Sequence, residues 1–231
     1  MSLFIRKAQA RGISQMDWLI SHHTFSFGNY YDPAFMGFGN LRVINEDYIE
    51  PGKGFGRHPH KNMEIITYVV QGALAHKDSL GTGSIVHPGE IQRMSAGSGI
   101  EHSEYNHSAT QPLHLLQIWI MPKENGLAPG YEQKPITKIN NQWILIASPE
   151  IKTDAIIIHQ DAELFAAYLH SNHRLSYAFK KGRQGWLQLI KGEIELNGTH
   201  LLPGDAAAVT QETNLNIHCL QDAELLFFDL N

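Results

Sequence analysis

Short apolar or alternating runs, punctuated by Gly and Pro, set the rhythm of this chain. The clearest is Met63 to Val70, a β-branched run bounded by Gln71-Gly72, which fits a strand better than a helix. Ala73 to Asp78, Ile85-Val86 and Ile91 to Met94 continue as short strands around the Gly81-Thr82-Gly83 and Pro88-Gly89 turns. Leu113 to Met121 is a longer apolar run stopped by Pro122. Upstream, Phe25 and Phe27 alternate with polar neighbours as a half-buried strand does. Leu41, Val43 and Ile49 lead a strand pair into Pro51-Gly52. Such spacing predicts a β-sandwich or barrel.

The pattern then recurs. Residues 122–142 are polar and broken by Pro and Gly, as a connection between domains is. Beyond it, Leu187 to Gly192 with Leu202-Pro-Gly-Asp echoes Tyr68 to Gly72 with His87-Pro-Gly-Glu, which predicts two copies of one β-barrel. The expected domains are 1–132 and 133–231. Ala162 to Leu169 has helical propensity, but the His170-Ser-Asn-His173 turn and the alternation of Leu175, Tyr177 and Phe179 favour a hairpin.

Composition narrows the function classes. With 231 residues, 42% of them hydrophobic, the chain can bury one large or two modest cores. No run of eighteen apolar residues offers a membrane span. A formal charge of −5 leaves no basic field for a phosphate backbone, so direct nucleic-acid binding is not expected. The single cysteine, Cys219, allows no intramolecular disulfide, and no apolar segment follows the basic N-terminal residues. A cytoplasmic monomer is the expectation.

Two ligand-type pairs stand out at spacing i, i+2: His58 with His60, and His102 with Glu104. On a strand each pair projects to one face, with Cα atoms roughly 6.6 Å apart. Fourteen histidines will generate chance pairs, but both of these follow Gly-rich turns in strand-like sequence. Facing each other, they make a cage of three imidazoles and one carboxylate, which suits Fe(II), Mn, Co, Ni, Cu or Zn. His22 and His23 lack an i, i+2 histidine partner and read as structural. Aligning Gly72 with Gly192 puts Ala178 and Lys180 where His58 and His60 stand. Aligning Gly89 with Gly204 puts Ile217 and Cys219 at His102 and Glu104. The second barrel is therefore expected to be metal-free, giving one ion per chain. Acid is expected to displace that ion, since imidazole must be neutral to ligate and its ordinary pKa is about 6.5.

Gly52, His58-x-His60, Glu64, His102 and Asn106 together resemble the two halves of the cupin signature. More narrowly, His-Pro-His-Lys-x-Met-Glu, Val-x-Pro-Gly-Glu-x-Gln-x-Met-Ser-Ala-Gly-x-Gly-Ile-x-His-Ser-Glu-Tyr-Asn and Leu-Gln-Ile-Trp resemble the pirins, especially the bacterial pirin-like quercetin dioxygenases, over most of residues 4–132. The resemblance implies an all-β bicupin of two similar jelly-roll barrels packed together. The general cupin pattern would take His58, His60, Glu64 and His102 as ligands. Pirins use the carboxylate two residues after the last histidine, which is Glu104 here, and this leaves Glu64 as a supporting or pocket residue. The resemblance also implies iron, with a planar flavonol and dioxygen as substrates. Glu104 would then be both ligand and the base for the flavonol 3-hydroxyl, with Phe25, Phe27, Phe55 and Met94 as candidate pocket walls. The eukaryotic pirins supply the alternative, a metal-dependent, redox-sensitive regulatory protein acting through partner proteins.

Overall fold

The computed structural model describes residues 2–152 and 154–231, and among them there is no α-helix. Two compact units form. One takes the segment ending at Arg11, Thr137–Pro149 and Asp161–Asn231; the other takes Gly12–Ile136 and Glu150–Gln160. The chain thus changes unit four times, where the sequence reading places one boundary after residue 132. Strand β1 (Ser2–Arg6) opens the chain and, with the 3-10 turn Ala8–Ala10, belongs with the C-terminal residues.

The unit beginning at Gly12 is built from β2 (Gly12–Gln15), β3 (Leu19–His23), β4 (Leu41–Ile49), β5 (Gly54–His60), β6 (Glu64–Gln71), β7 (Leu74–Asp78), β8 (Gly83–Val86), β9 (Glu90–Ser95), β10 (Ile100–Asn106), β11 (Leu113–Ile120) and β12 (Gly130–Pro135). A seven-stranded sheet runs β12-β9-β6-β11-β4-β3-β2 and a four-stranded sheet runs β5-β10-β7-β8. Their inner faces bury Leu19, Ile49, Val69, Leu113 and Leu115 from the large sheet against Leu74 and Val86 from the small one. Period-two alternation makes this work: in β10 the burial alternates, with Ile100, His102, Glu104 and Asn106 inward. Gly72 turns the chain out of β6 at φ +86, in the left-handed region, where a Cβ would also lie 2.7 Å from the Pro112 carbonyl oxygen. Phe25 and Phe27, expected on a strand, lie just past β3 in a turn-rich stretch. The backbone there bends through Ser26 and Asp32, whose hydroxyl and backbone groups bond each other.

Strands β13 (Trp143–Ser148) and β14 (Ile156–Ile157) follow, the latter in the Glu150–Gln160 segment of the same unit as β12. That segment returns because it buries Ala155, Ile156 and Ile158 and is held by polar contacts. Lys134 Nζ donates to the Ala155 carbonyl at 2.7 Å, and the Ile157 N–H donates to Glu132 at 2.9 Å. The chain ends in β15 (Ala162–Leu169), β16 (Arg174–Ala178), β17 (Gln184–Leu196), β18 (Thr199–Leu201), β19 (Ala206–Thr210) and β20 (Asn214–Leu230). β1 pairs with β19 from Leu3↔Val209 to Arg6↔Ala206, which is why the first residues fold with the last. Ala162–Leu169 is a strand, not a helix, but the hairpin expected after it does not form. β15 pairs with residues 223–230 of β20 and β16 with residues 214–218, so the two run in line along one partner. The 170–173 turn is an interruption, closed by the Cys219 N–H donating to the His173 carbonyl at 2.9 Å. Ile217 and Cys219, opposite numbers of His102 and Glu104 in the repeat, are buried in this unit's apolar core.

Candidate metal centre

The centre starts from two neighbouring strands, β5 and β10. They approach so closely at Gly54 that a Cβ there would sit 2.1 Å from the Glu104 carbonyl oxygen, so only glycine fits. His102 pairs with His58, while Glu104 pairs with Phe55, so β5 carries one extra residue around Gly56-Arg57. This β-bulge reverses the side-chain parity of β5. Phe55 and His58, three apart, can then both face inward, and Phe55 packs edge-on to Trp18 with ring centroids 5.3 Å apart.

Three imidazoles converge. The ring centroids of His58, His60 and His102 lie 4.5 to 4.8 Å from one another, and the Nε2 atoms of His58 and His102 are 3.0 Å apart. Two imidazole lone pairs cannot face each other at that distance without a proton or a cation between them. His58 Nδ1 donates to the Gly56 carbonyl at 2.7 Å, which fixes the tautomer that leaves Nε2 open toward its neighbours. Glu104 Oε2 is 3.9 Å from His102 Nε2. Burial, reinforced by His102 and His58, pushes His60 down to about 4, and burial with His58 and His76 pushes His102 down to about 3. Neutral imidazoles are the form that ligates, so the donor set fits a divalent transition metal. Among the described residues, the groups able to hold an ion are His58, His60 and His102, and, overlapping them, His76, His102 and Glu104.

A polar row on the opposite sheet supports this centre. Strand register places His23, Asn45, Gln117, Thr67 and Gln92 side by side across β3, β4, β11, β6 and β9. Gln117 Nε2 donates to Glu104 Oε2 at 2.7 Å, Thr67 lies at 3.5 Å from Oε1, and Gln92 Nε2 is 3.4 Å from His76 Nδ1. A hydrogen bond to a charged group is worth about 1.5–3 kcal/mol, enough to fix the carboxylate's rotamer. His76 is held on its other side by Asp78 at 3.1 Å, so both of its ring nitrogens are engaged. The convergent set is therefore His58, His60 and His102, with Glu104 the carboxylate beside it.

Beside the three imidazoles opens a cavity of about 590 Å³. Trp18, Phe27, Phe55 and Trp119 wall it, and Ser21, Asn45, Asp47 and Gln117 give it a polar side. Asp47 is buried, and its Oδ1 has no hydrogen-bond partner among the described residues, at a cost of about 1–3 kcal/mol. Burial pushes its carboxyl up to about 7, against a hydrogen bond from Ser21 and with help from Glu104 and Glu46.

Of the residues expected as walls, Phe27 and Phe55 line the cavity, whereas Phe25 is buried in the core. Met94 is fully buried against Ile65, Ala96 and Ile100. Glu64 faces other partners: its Oε2 accepts from Ser95 Oγ at 2.9 Å and from His159 N and Nδ1 at 3.2 Å. It ties down the Glu150–Gln160 segment. His23, read from the sequence as structural, is bonded to Asn45 at 2.8 Å and Ser14 at 2.7 Å, and it also lines the cavity. Sequence reading missed His76, Asn45, Asp47 and Gln117. A signal existed: in β4 the inward positions read Val43, Asn45, Asp47, Ile49, a polar interruption of an apolar face, and His76-x-Asp78 repeats the i, i+2 spacing.

The depressed imidazoles set a pH dependence. An unfolded chain binds protons near 6.5, while His60 and His102 in the fold bind them only near 4 and 3. Between those values the unfolded state holds more protons, so folding stability rises with pH there and falls as acid is added. Asp47, raised to about 7, works the opposite way, since the fold holds its proton where the unfolded chain has lost it. In metal-free Asp47→Asn protein, without that opposing carboxyl, stability is expected to fall from about pH 6.5 to about 4. Denaturant unfolding at half-unit steps checks this, and a flat profile from pH 6.5 to 4 would refute the depressed values. Proton competition for a metal at these two nitrogens correspondingly begins below the ordinary imidazole range.

The sequence model of the family described as Pirin matches residues 5–120, and that described as Quercetinase C-terminal cupin domain matches residues 145–230. A protein of Escherichia coli (strain K12) named quercetin 2,3-dioxygenase is 48% identical over 228 residues, covering 99% of this chain and 98% of that one. A putative quercetin 2,3-dioxygenase of Pasteurella multocida is 44% identical over 232 residues, covering 99% of each. The crystal structure of the Escherichia coli bacterial pirin YhhW in complex with nickel(II) superposes with a TM-score of 0.95 at 48% identity, covering 99% of each chain.

Proposed function

The chain belongs to the pirin family of the cupin superfamily, and from that membership we propose that it is a metal-dependent dioxygenase opening flavonols such as quercetin with release of carbon monoxide. The observation that carries this reading is the convergence of His58, His60 and His102 beside Glu104 at the edge of an aromatic-walled cavity. A relative named for the same activity, 48% identical along nearly its whole length, supports it.

His58, His60, His102 and Glu104 would hold the metal, with iron as the ion the family resemblance favours. A divalent transition metal there supplies Lewis acidity and redox reach. The chain's own residues do the rest. Glu104, held by Gln117 and faced by Thr67, takes the proton from the flavonol 3-hydroxyl. Loss of that proton pushes electron density onto the adjacent ring carbon, where one oxygen of dioxygen adds while the other bonds the ring carbonyl carbon. The O–O bond and the two carbon–carbon bonds to the hydroxyl-bearing carbon then break; that carbon leaves with its own oxygen as carbon monoxide, both oxygens of dioxygen stay in the ester product, and Glu104 returns its proton to the new carboxylate. The flat walls of Trp18, Phe27, Phe55 and Trp119 match a planar aromatic ligand and exclude water from it.

The test is carbon monoxide evolution from quercetin under air by protein loaded stepwise with metal. The rate is expected to rise in proportion to occupancy. A fully loaded protein that releases none from any flavonol would refute the activity and favour the regulatory alternative.

A further inference from the structure

We infer that Asp47 is the substrate-selecting group of this cavity: its unpaired carboxyl oxygen takes a phenolic hydroxyl of the bound flavonol. The inference rests on the flavonol reading and deepens it. Asp47 lines the cavity although its side chain is buried, and Oδ1 has no partner among the described residues. Its place in the sheet sharpens the point. In the polar row His23–Asn45–Gln117–Thr67–Gln92, His23 and Asn45 bond each other, Gln117 donates to Glu104 and Gln92 Nε2 faces His76. Gln92 Oε1 also has no partner among the described residues, but Gln92 does not line the cavity. Asp47 lies one row away, between Ser21 and Leu115, with Val69 beyond, on a part of the face that is otherwise turning apolar.

A buried acceptor without a partner, on a side chain that lines an aromatic-walled cavity, favours a ligand carrying a hydroxyl at that point and disfavours one that lacks it. The site's own polar atom is stranded when the partner is missing. This recognition needs only an oxygen lone pair on the carboxyl, so it operates whether or not the carboxyl carries a proton. It is also distinct from the role of Glu104, since Asp47 offers no atom to the ligand cluster.

The experiment is a cycle between protein and ligand. Metal-loaded wild type, Asp47→Leu and Asp47→Asn are titrated without oxygen with quercetin and with flavonols lacking, one at a time, the hydroxyl at position 5, at position 7 or on the pendant ring. Asp47→Leu is expected to weaken binding of quercetin about tenfold, the scale of one hydrogen bond to a carboxyl group. For one member of the ligand series the same substitution should change little, because that flavonol lacks the hydroxyl Asp47 holds. Asp47→Asn, which keeps an acceptor oxygen and nearly the same volume, should recover most of the loss. Equal metal content and thermal midpoints show that the variants are folded. If Asp47→Leu weakens all the flavonols alike, or none, the inference is overturned. Flavonols that do not bind the wild type at all overturn it together with the activity reading, whereas binding without carbon monoxide release overturns the activity alone.

Discussion

Glu104→Gln is expected to keep most of its metal and to lose flavonol opening by about 10²- to 10⁴-fold, the usual contribution of a positioned general base. The substitution is conservative in this setting. Three imidazoles remain, and the amide oxygen can still accept from Gln117 Nε2, which donates to Glu104 at 2.7 Å. The new NH₂ then faces Thr67, whose hydroxyl lies 3.5 Å from the other carboxyl oxygen and can accept in turn. Shape and hydrogen bonds survive, and the lone pair able to take a proton does not. Glu64→Gln is the comparison, with a smaller effect on both metal and rate, because Glu64 bonds Ser95 and His159. Rates are compared at matched metal occupancy, so that a lost ion is not mistaken for a lost base. A Glu104→Gln protein as fast as the parent would remove Glu104 from the chemistry.

The His58→Ala, His60→Ala double variant is expected to take metal content from near one ion per chain to near none. Loss of a single outer-shell partner already costs about 10- to 100-fold in affinity, and two direct donors cost more. The fold should survive, since both side chains are only half-buried and β5 is held to β10 by its backbone. Metal analysis after dialysis, with a thermal midpoint alongside, decides it. Unchanged occupancy would show that these imidazoles are not the ligands, and two ions per wild-type chain would show that the second unit binds one as well.

Much of this was legible from local pattern. A side-chain period of two lets a reader mark Met63 to Val70 or Leu113 to Met121 as strand, and it puts His58 with His60, and His102 with Glu104, on common faces. Glycines did similar work: the Gly72 turn follows from the run that precedes it. Where the pattern failed, a partner distant in sequence had intervened. Residues 162–178 have strand alternation on both sides of a turn and so look like a hairpin. They become one interrupted line because β20 is long enough to pair with both halves. The residues up to Arg11 fold with the C-terminal unit because β19 offers them a partner 200 positions away in sequence, a choice no local signal encodes.

The sequence by itself determined an all-β chain, its internal repeat, and the pairing of His58 with His60 and of His102 with Glu104 on common faces, because parity along a strand is a property of neighbouring residues. Only the tertiary structure decided what those pairs face. Register between segments as far apart as Asn45 and Gln117, or Thr67 and Gln92, assembles the row that holds Glu104 and His76. One extra residue in β5 brings Phe55 onto the same side as His58. Register and bulges are set by hydrogen bonding between strands, and the energy that selects them is spread over the whole sheet.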